Sequence, residues 1–531
     1  MSKLFKLLSV FLVMSSVSCI GVKKHNTQVA AAHTPEELRE DVAYTYKKFK
    51  QLHPNLYQYV SESELDRKFD SLKASLKEPM NGEEFYKVLS PVVSEIRQGH
   101  ISTSFPKKRF TKKERKARKN LKLDFYELDF EYIDKDIYIS RTGKKDSVLI
   151  GSRVLEVDKK PISTIIDAYR KTFSSDGYNT TFENNYIALR FGRLYAKHSG
   201  PLDSVSLKLQ NKDSIYTKWF KRYDKTKTDT DVTAKSDSLK PEKIKLTRAE
   251  KQAKRLELKQ TKKKNKKYGY VKSRDRFNRN FKFLDAAAEV GYFKIRSWTT
   301  GKYKEFYEES FTKLDSANAK YLVLDLRDNT GGRLAEIREF YKYLVDDEFQ
   351  FVEAAYTKTR LPYLKNYYSG NPDIVSVLAQ SLSVPILFTH NILKSSKKDG
   401  KLRFNYSYAK KTKPSPLNFK GKIYVLINGN SFSASSILST NLKASNRAVF
   451  VGEETGGACN GTVAGFYKLI TLPNTKVRVR FGLMQIQTPQ KWQEPDGYGI
   501  KPDIVITPNA EDRFSGKDAE IAWVLEDIRA N

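Results

Sequence analysis

Five apolar residues, Ile423 to Ile427, run without a spacer into Asn428-Gly-Asn-Ser-Phe-Ser-Ala-Ser-Ser-Ile-Leu438. A run this short and this uniformly apolar predicts a strand buried on both faces, and the small residues after it predict a sharp turn into a helix that begins its apolar face at Ile437 and Leu438. Val290–Ile295 and Tyr321–Leu326 have the same texture, with helical patterns between them, so an α/β domain is expected over 281–510. A serine at a strand-to-helix turn exposes its hydroxyl beside the positive end of the helix, where an oxyanion can also be stabilised. The same serines also suit a plain helix N-cap, so the stretch alone does not decide between the two roles.

The chain is longer than one core can fill, and 531 residues imply two or three folded units. Met-Ser-Lys-Leu-Phe-Lys, an apolar run from Leu7 to Val17, then Ser18-Cys19 has the layout of an export signal, and the run is too short to span a bilayer. Cys19 resembles the modified cysteine of bacterial lipoproteins, with 1–19 as the signal peptide, although Val17 departs from the usual small residue. The expected location is the bacterial cell envelope, as a membrane-anchored lipoprotein. Only Cys459 remains as a second cysteine, so stability must come from packing rather than disulfides.

Helical periodicity predicts an N-terminal helical region over 34–106, opened by the cap Thr34-Pro35-Glu36-Glu37 and ending near Gln98-Gly99-His100. Strand patterns over 123–220 include Ile150 to Ile166, a strand, tight turn and helix start that resembles the second half of a PDZ domain. Lys, Arg, Asp, Ser and Thr dominate 221–280, read here as a basic insert or linker, helical around Arg248 to Leu258 and otherwise disordered. Residues 511–531 are expected to form a C-terminal helix. Lys and Arg total 96 against 62 acidic residues, a net +34, concentrated in this insert and in the run Lys107 to Lys119. The basic segments lack the interleaved aromatics of a nucleic-acid platform, so no nucleic-acid partner is expected; an anionic lipid or envelope surface suits them better.

Four motifs in order carry a specific resemblance. Asp325-Leu-Arg-Asp-Asn-Thr-Gly-Gly332, Ser431-Phe-Ser-Ala-Ser-Ser-Ile-Leu438, Val449-Phe-Val-Gly-Glu-Glu-Thr-Gly-Gly457 and Gly499-Ile-Lys-Pro-Asp-Ile504 resemble the C-terminal processing peptidases and the tricorn core. The resemblance implies an α/β fold of the α+β multidomain kind, a ClpP/crotonase-like core preceded by the helical region and the PDZ-like domain. It also implies a serine-type peptidase acting on polypeptides, with Ser433 as nucleophile and no cofactor.

One departure matters. Many of these peptidases use a Ser-Lys dyad, yet Gly456-Gly-Ala-Cys-Asn-Gly461 contains no lysine. A serine hydroxyl needs a base, and the tricorn-like branch supplies a histidine from before its PDZ-like region and a glutamate near the Pro-Asp segment. The matching places here hold Arg97-Gln-Gly-His100 and Asp496-Gly-Tyr-Gly499, which assigns His100 as base and Asp496 as the orienting carboxylate, with Glu494 in reserve. Gly99 stands where tricorn has a serine. The resemblance places the oxyanion hole at the N–H of Ala434 and one from the Gly331-Gly332 turn. His25, His33, His53, His198 and His390 have no motif around them and read as surface or packing residues. No spacing resembles a metal-ligand set, and Cys459, a conceivable rival nucleophile, reads as a packing residue. A non-catalytic ligand-binding envelope protein on the same scaffold is the competing reading, since loss of the lysine is what decay would look like.

Overall fold

The computed structural model describes residues 21–143, 146–200, 202–225, 247–367, 374–492 and 494–531. The signal peptide, Cys19 and much of the basic insert therefore lie outside the described residues.

After a first short helix, α1 (Val22–Ala30), the N-terminal region is built from α2 (Pro35–Leu52), α3 (Glu62–Ser75) and α4 (Gly82–Ser94). Side chains set the helix starts: Thr34 and Glu37 form a reciprocal capping box with Pro35 at the first position, and Asn81 with Glu84 repeats the device for α4. Leu38, Val42 and Phe49 on α2 meet Leu65 and Phe69 of α3 and Phe85 and Leu89 of α4 in one core. Behind α4 the chain turns through His100 into β1 (Ser102–Ser104), then enters the basic segment and its helix α5 (Lys112–Arg118), which buries none of its residues.

The second unit is an antiparallel sheet, with strands β2 (Asp129–Ile133), β3 (Asp136–Arg141), β4 (Arg153–Val157), β5 (Ser204–Asn211) and β6 (Ser214–Lys221) neighbouring one another in that order. Helices α6 (Ile162–Arg170) and α7 (Thr181–Ser199) cover it and share its core through Ile165, Ile166, Ile187 and Phe191.

Within the described part of the stretch expected as an insert over 221–280, helix extends further than the composition suggests. Helix α8 (Arg248–Tyr268) continues ten residues past Leu258, between a Thr247–Glu250 capping box and Gly269 in the left-handed conformation. It is exposed over almost its whole length. The segment behind it belongs to the main sheet: β7 (Arg279–Phe283) is its edge strand, with Arg279 fully buried against Glu336. One buried ion pair within a lysine-rich composition is not visible to a composition argument.

The core sheet takes β8 (Val290–Ile295), β9 (Tyr321–Asp325), β10 (Lys422–Ile427) and β11 (Val449–Gly452) as neighbouring parallel strands. A long hairpin, β12 (Thr462–Thr471) and β13 (Arg478–Ile486), leaves this sheet and packs under the N-terminal helices, and β14 (Ile504–Val505) then returns to pair with β11. β7 pairs antiparallel with β8 at the far edge. β1 joins β13 in antiparallel register, Ser102 opposite Arg480, so the strand after His100 is fixed to the hairpin. Helix α9 (Ala434–Ala444) follows β10 and is buried along Ala434–Leu442. Two helices close the chain, Ala510–Ser515 and Ala519–Ala530.

The Arg279 guanidinium donates to Glu336 at 2.5 Å and Tyr307 donates to the same carboxylate oxygen at 2.9 Å. Both charges are 0% exposed, so removing one leaves the other uncompensated in the interior. Glu336→Ala should cost about 3–5 kcal/mol, read as a lower urea midpoint, whereas the double change Glu336→Ala with Arg279→Met should recover much of it.

Candidate active site

Ser433 caps the N-terminus of α9 with φ 58° and ψ −113°. For a non-glycine residue this backbone costs on the order of 1–3 kcal/mol and persists only where the surroundings impose it. Here they do. Ser431 Oγ donates to Leu326 O at 2.9 Å and accepts from Asn428 N at 3.1 Å, and Phe432 N donates to Asn329 O at 3.1 Å. Asn428 and Asn430 both donate to Asp328, at 3.1 and 3.0 Å. The turns after β9 and β10 are thereby joined.

Glycine is required where these turns meet. A Cβ on Gly331, whose φ is +99°, would lie 2.8 Å from both Phe432 O and Ser433 Cβ and 2.9 Å from Ala434 N. Gly331 N–H is already donated to Asn329 Oδ1 at 3.0 Å. Of the two glycines named for the oxyanion hole, Gly332 is the one whose amide is not committed to that bond.

The base approaches from the N-terminal region. His100 Nε2 lies 2.9 Å from Ser433 Oγ, although the two are 333 positions apart in the chain. Its ring packs beside Phe432, centroids 5.1 Å apart. A Cβ on Gly99 would meet the Phe432 ring at 2.6 Å, so this position has little room for the serine that tricorn carries. Gly99 N donates to Asp176 Oδ1 at 2.8 Å, Gly177 N to Arg97 O at 2.8 Å and Tyr178 N to Gly497 O at 2.8 Å. The loop 175–178 of the second unit thus ties the histidine turn to the turn after Asp496.

The expected third member is elsewhere. Asp496 is exposed and accepts from Trp492 Nε1 at 3.0 Å. The group facing His100 Nδ1 is the Tyr467 hydroxyl at 3.3 Å. A tryptophan four residues upstream offers Asp496 a local donor, so its place in the motif does not aim it at the histidine. Glu494 has a buried Oε2 without a hydrogen-bond partner, and its backbone carbonyl faces the Cys459 thiol at 3.7 Å. Tyr467 carries the Arg480 guanidinium 3.4 Å above its ring. Burial first, and the Arg480 cation second, hold His100 down to about pKa 3. Asp176 is pushed up to about 6 by burial, the Gly99 amide pulling the other way.

Sequence reasoning missed Tyr467, Arg480 and Asp176. Tyr467 lies just past a bulge in β12, where the register shifts between Ala464 and Tyr467, and no motif surrounds it. Cys459 is buried, with its thiol pushed up to about 12 by burial and by Glu494 and Asp496, which removes it as a rival nucleophile. The other histidines have structural surroundings. His53 is fully buried, His198 stacks on Tyr169 at 4.7 Å, His33 pairs with Glu37, His25 contacts Lys107 O and His390 packs near Tyr363. Among the described residues no three His, Cys, Asp or Glu side chains converge as metal ligands.

Comparison with known proteins concerns the family profile and the fold. A family profile described as Peptidase family S41 matches residues 289–506. The fold is similar to that of mature CPAF complexed with lactacystin, at 15% identity and TM-score 0.59, covering 93% of this chain and 98% of that one. Mature CPAF in a second crystal structure gives 15% identity and TM-score 0.57, over 91% and 95% of the two chains. The photosystem II D1 C-terminal processing protease is similar at 14% identity and TM-score 0.42, over 89% and 94%. A search of curated proteins finds no match. Residues 289–506 are thus similar to peptidase family S41, and the chain as a whole shares the fold of mature CPAF.

Proposed function

We propose that the chain is an exported, lipid-anchored serine peptidase that cleaves polypeptides through Ser433 and His100, its anchor being Cys19. The observation that carries the catalytic part is the 2.9 Å contact between Ser433 Oγ and His100 Nε2 at a strained strand-to-helix turn. Export and anchoring rest on the N-terminal sequence. A non-catalytic scaffold would have no need to maintain this contact at the cost of an unfavourable backbone.

In the first step Ser433 Oγ attacks the scissile carbonyl carbon while its proton passes to His100 Nε2. The negative charge moves to the carbonyl oxygen, which receives the N–H groups of Ala434 and Gly332 at the positive end of α9. His100 returns the proton to the leaving amine, the C–N bond breaks and an acyl-serine remains. Water then attacks the acyl carbon and gives a proton to His100, which passes it to Ser433 Oγ as the acyl–oxygen bond breaks and the acid leaves. For Nε2 to accept, the ring must carry its proton on Nδ1, and that N–H points to Tyr467 Oη.

Among the described residues no carboxylate is hydrogen-bonded to the His100 ring, and the Arg480 cation opposes the imidazolium. Burial first and Arg480 second hold the His100 pKa down to about 3, so the histidine is neutral and available as a base around neutral pH. Acid inactivation of kcat/KM on a small ester substrate should fall well below pH 5. Arg480→Gln removes the opposing cation, so the acid limb should move upward, toward the unperturbed histidine value of about 6.5. A limb already near pH 6.5 in the wild type would contradict the assignment.

Hydrolysis of unfolded casein tests the activity itself. Ser433→Ala and His100→Ala should each lower kcat/KM by about 10³-fold or more, while Cys459→Ser should stay close to wild type. Equal activity in the wild type and Ser433→Ala would overturn the reading. Tyr467→Phe should reduce kcat by roughly tenfold with little change in KM, because the hydroxyl orients the base rather than binding substrate.

A further inference from the structure

Between Lys107 and Lys119 the sequence carries nine basic residues and one acidic residue, Glu114. The acidic side chain is turned inward to its own helix cap, accepting from Thr111 N at 2.6 Å. Lys107, Lys108, Lys112, Lys113, Lys116 and Lys119 are all exposed. So many like charges on one short segment repel one another, and solvent alone gives no reason to collect them there.

The structure holds this segment against the start of the described chain. Asn26 on α1 donates to Arg109 O at 2.9 Å and accepts from Arg109 N at 2.8 Å. One residue earlier, His25 contacts Lys107 O at 3.1 Å. These bonds use only backbone atoms of the basic segment, so its charged side chains remain available. Lys23 and Lys24, exposed on α1, add to the same surface.

Cys19 precedes Gly21 by two residues, which span at most about 7 Å of chain. An acyl group on Cys19 would therefore bring the bilayer surface to within about one Debye length, roughly 8–10 Å, of α1. We infer that the face formed by α1 and the Lys107–Lys119 segment docks on an anionic lipid bilayer, as the second of two membrane signals. The inference rests on the reading of Cys19 as the anchor. A single acyl chain binds membranes only marginally, and each lysine or arginine near an anionic surface contributes on the order of 1 kcal/mol. Only seven residues separate His100 from Lys107, a span of at most about 25 Å. The docked face consequently holds the Ser433–His100 pair near the membrane and favours membrane-proximal segments as substrates.

The test uses the full chain, as wild type and with Lys107, Lys108, Lys112, Lys113, Lys116 and Lys119 each changed to Gln. Binding is measured to vesicles of phosphatidylcholine alone and of phosphatidylcholine mixed with phosphatidylglycerol, whose anionic headgroups attract polybasic segments. Wild type should bind the anionic vesicles at least about tenfold more tightly, and should lose that preference at high salt. The sixfold variant should show no preference while hydrolysing casein as well as wild type, which keeps a folding defect distinct from lost docking. An anionic-lipid preference equal in both proteins would overturn the inference. So would capture of the wild type by polyphosphate without any preference between the vesicles. Intact mass of the purified chain decides the anchor separately: an unmodified Cys19 would remove the anchor reading, while the vesicle comparison still decides the basic face.

Discussion

Three hydrogen bonds donated by backbone amides, one of them to a side-chain carboxylate, hold the proposed catalytic pair together. Gly99 N to Asp176, Gly177 N to Arg97 O and Tyr178 N to Gly497 O tie together turns from the N-terminal helices, the second unit and the catalytic core. Each such bond contributes only about 0.5–1.5 kcal/mol. Their effect is geometric, because His100 reaches Ser433 only if the histidine turn sits flush against Phe432, and Gly99 permits that approach. The serine's own strained backbone depends in turn on the Asn329, Asp328 and Asn428 network that joins the turns after β9 and β10. Preorganisation is thus distributed over segments hundreds of residues apart, and a shift of about 1 Å in any of them would separate nucleophile from base.

The chemistry of the pair follows from what surrounds the imidazole. A lysine dyad is absent, and the Tyr467 hydroxyl occupies the place at Nδ1 where a carboxylate was expected. Arg480 reaches the site because β1, the strand immediately after His100, pairs with β13 and sets Ser102 opposite Arg480. The result is a neutral, buried, weakly basic histidine. Such a base remains unprotonated in acidic surroundings, but the imidazolium formed on attack lacks the electrostatic support that a carboxylate gives.

Much of this was legible in the sequence for identifiable physical reasons. The uninterrupted apolar run before Asn428 can be satisfied only by a buried strand, and the small residues behind it permit the nucleophile turn. Thr34-Pro35 announces its helix because capping is local chemistry. Side-chain direction is not local. Asp496 was placed by its position in a motif, yet Trp492 holds its carboxylate, and Tyr467 became visible only once β12 was folded past its bulge. Composition understated the helix at Arg248–Tyr268 because α8 is capped at both ends by Thr247 and Gly269, signals that a count of lysines overrides. Arg279 likewise reads as one more basic residue until Glu336 is found beside it.

The account stands on Ser433 being activated by a neutral His100. Phosphonylation by a fluorophosphonate probe, located by peptide mass spectrometry and followed as a rate against pH, addresses this at the residue itself. Modification at Ser433, with a rate that stays level between about pH 5 and 8 and collapses in His100→Ala, is the predicted result. Modification elsewhere, or a Ser433 rate indifferent to the loss of His100, would contradict it.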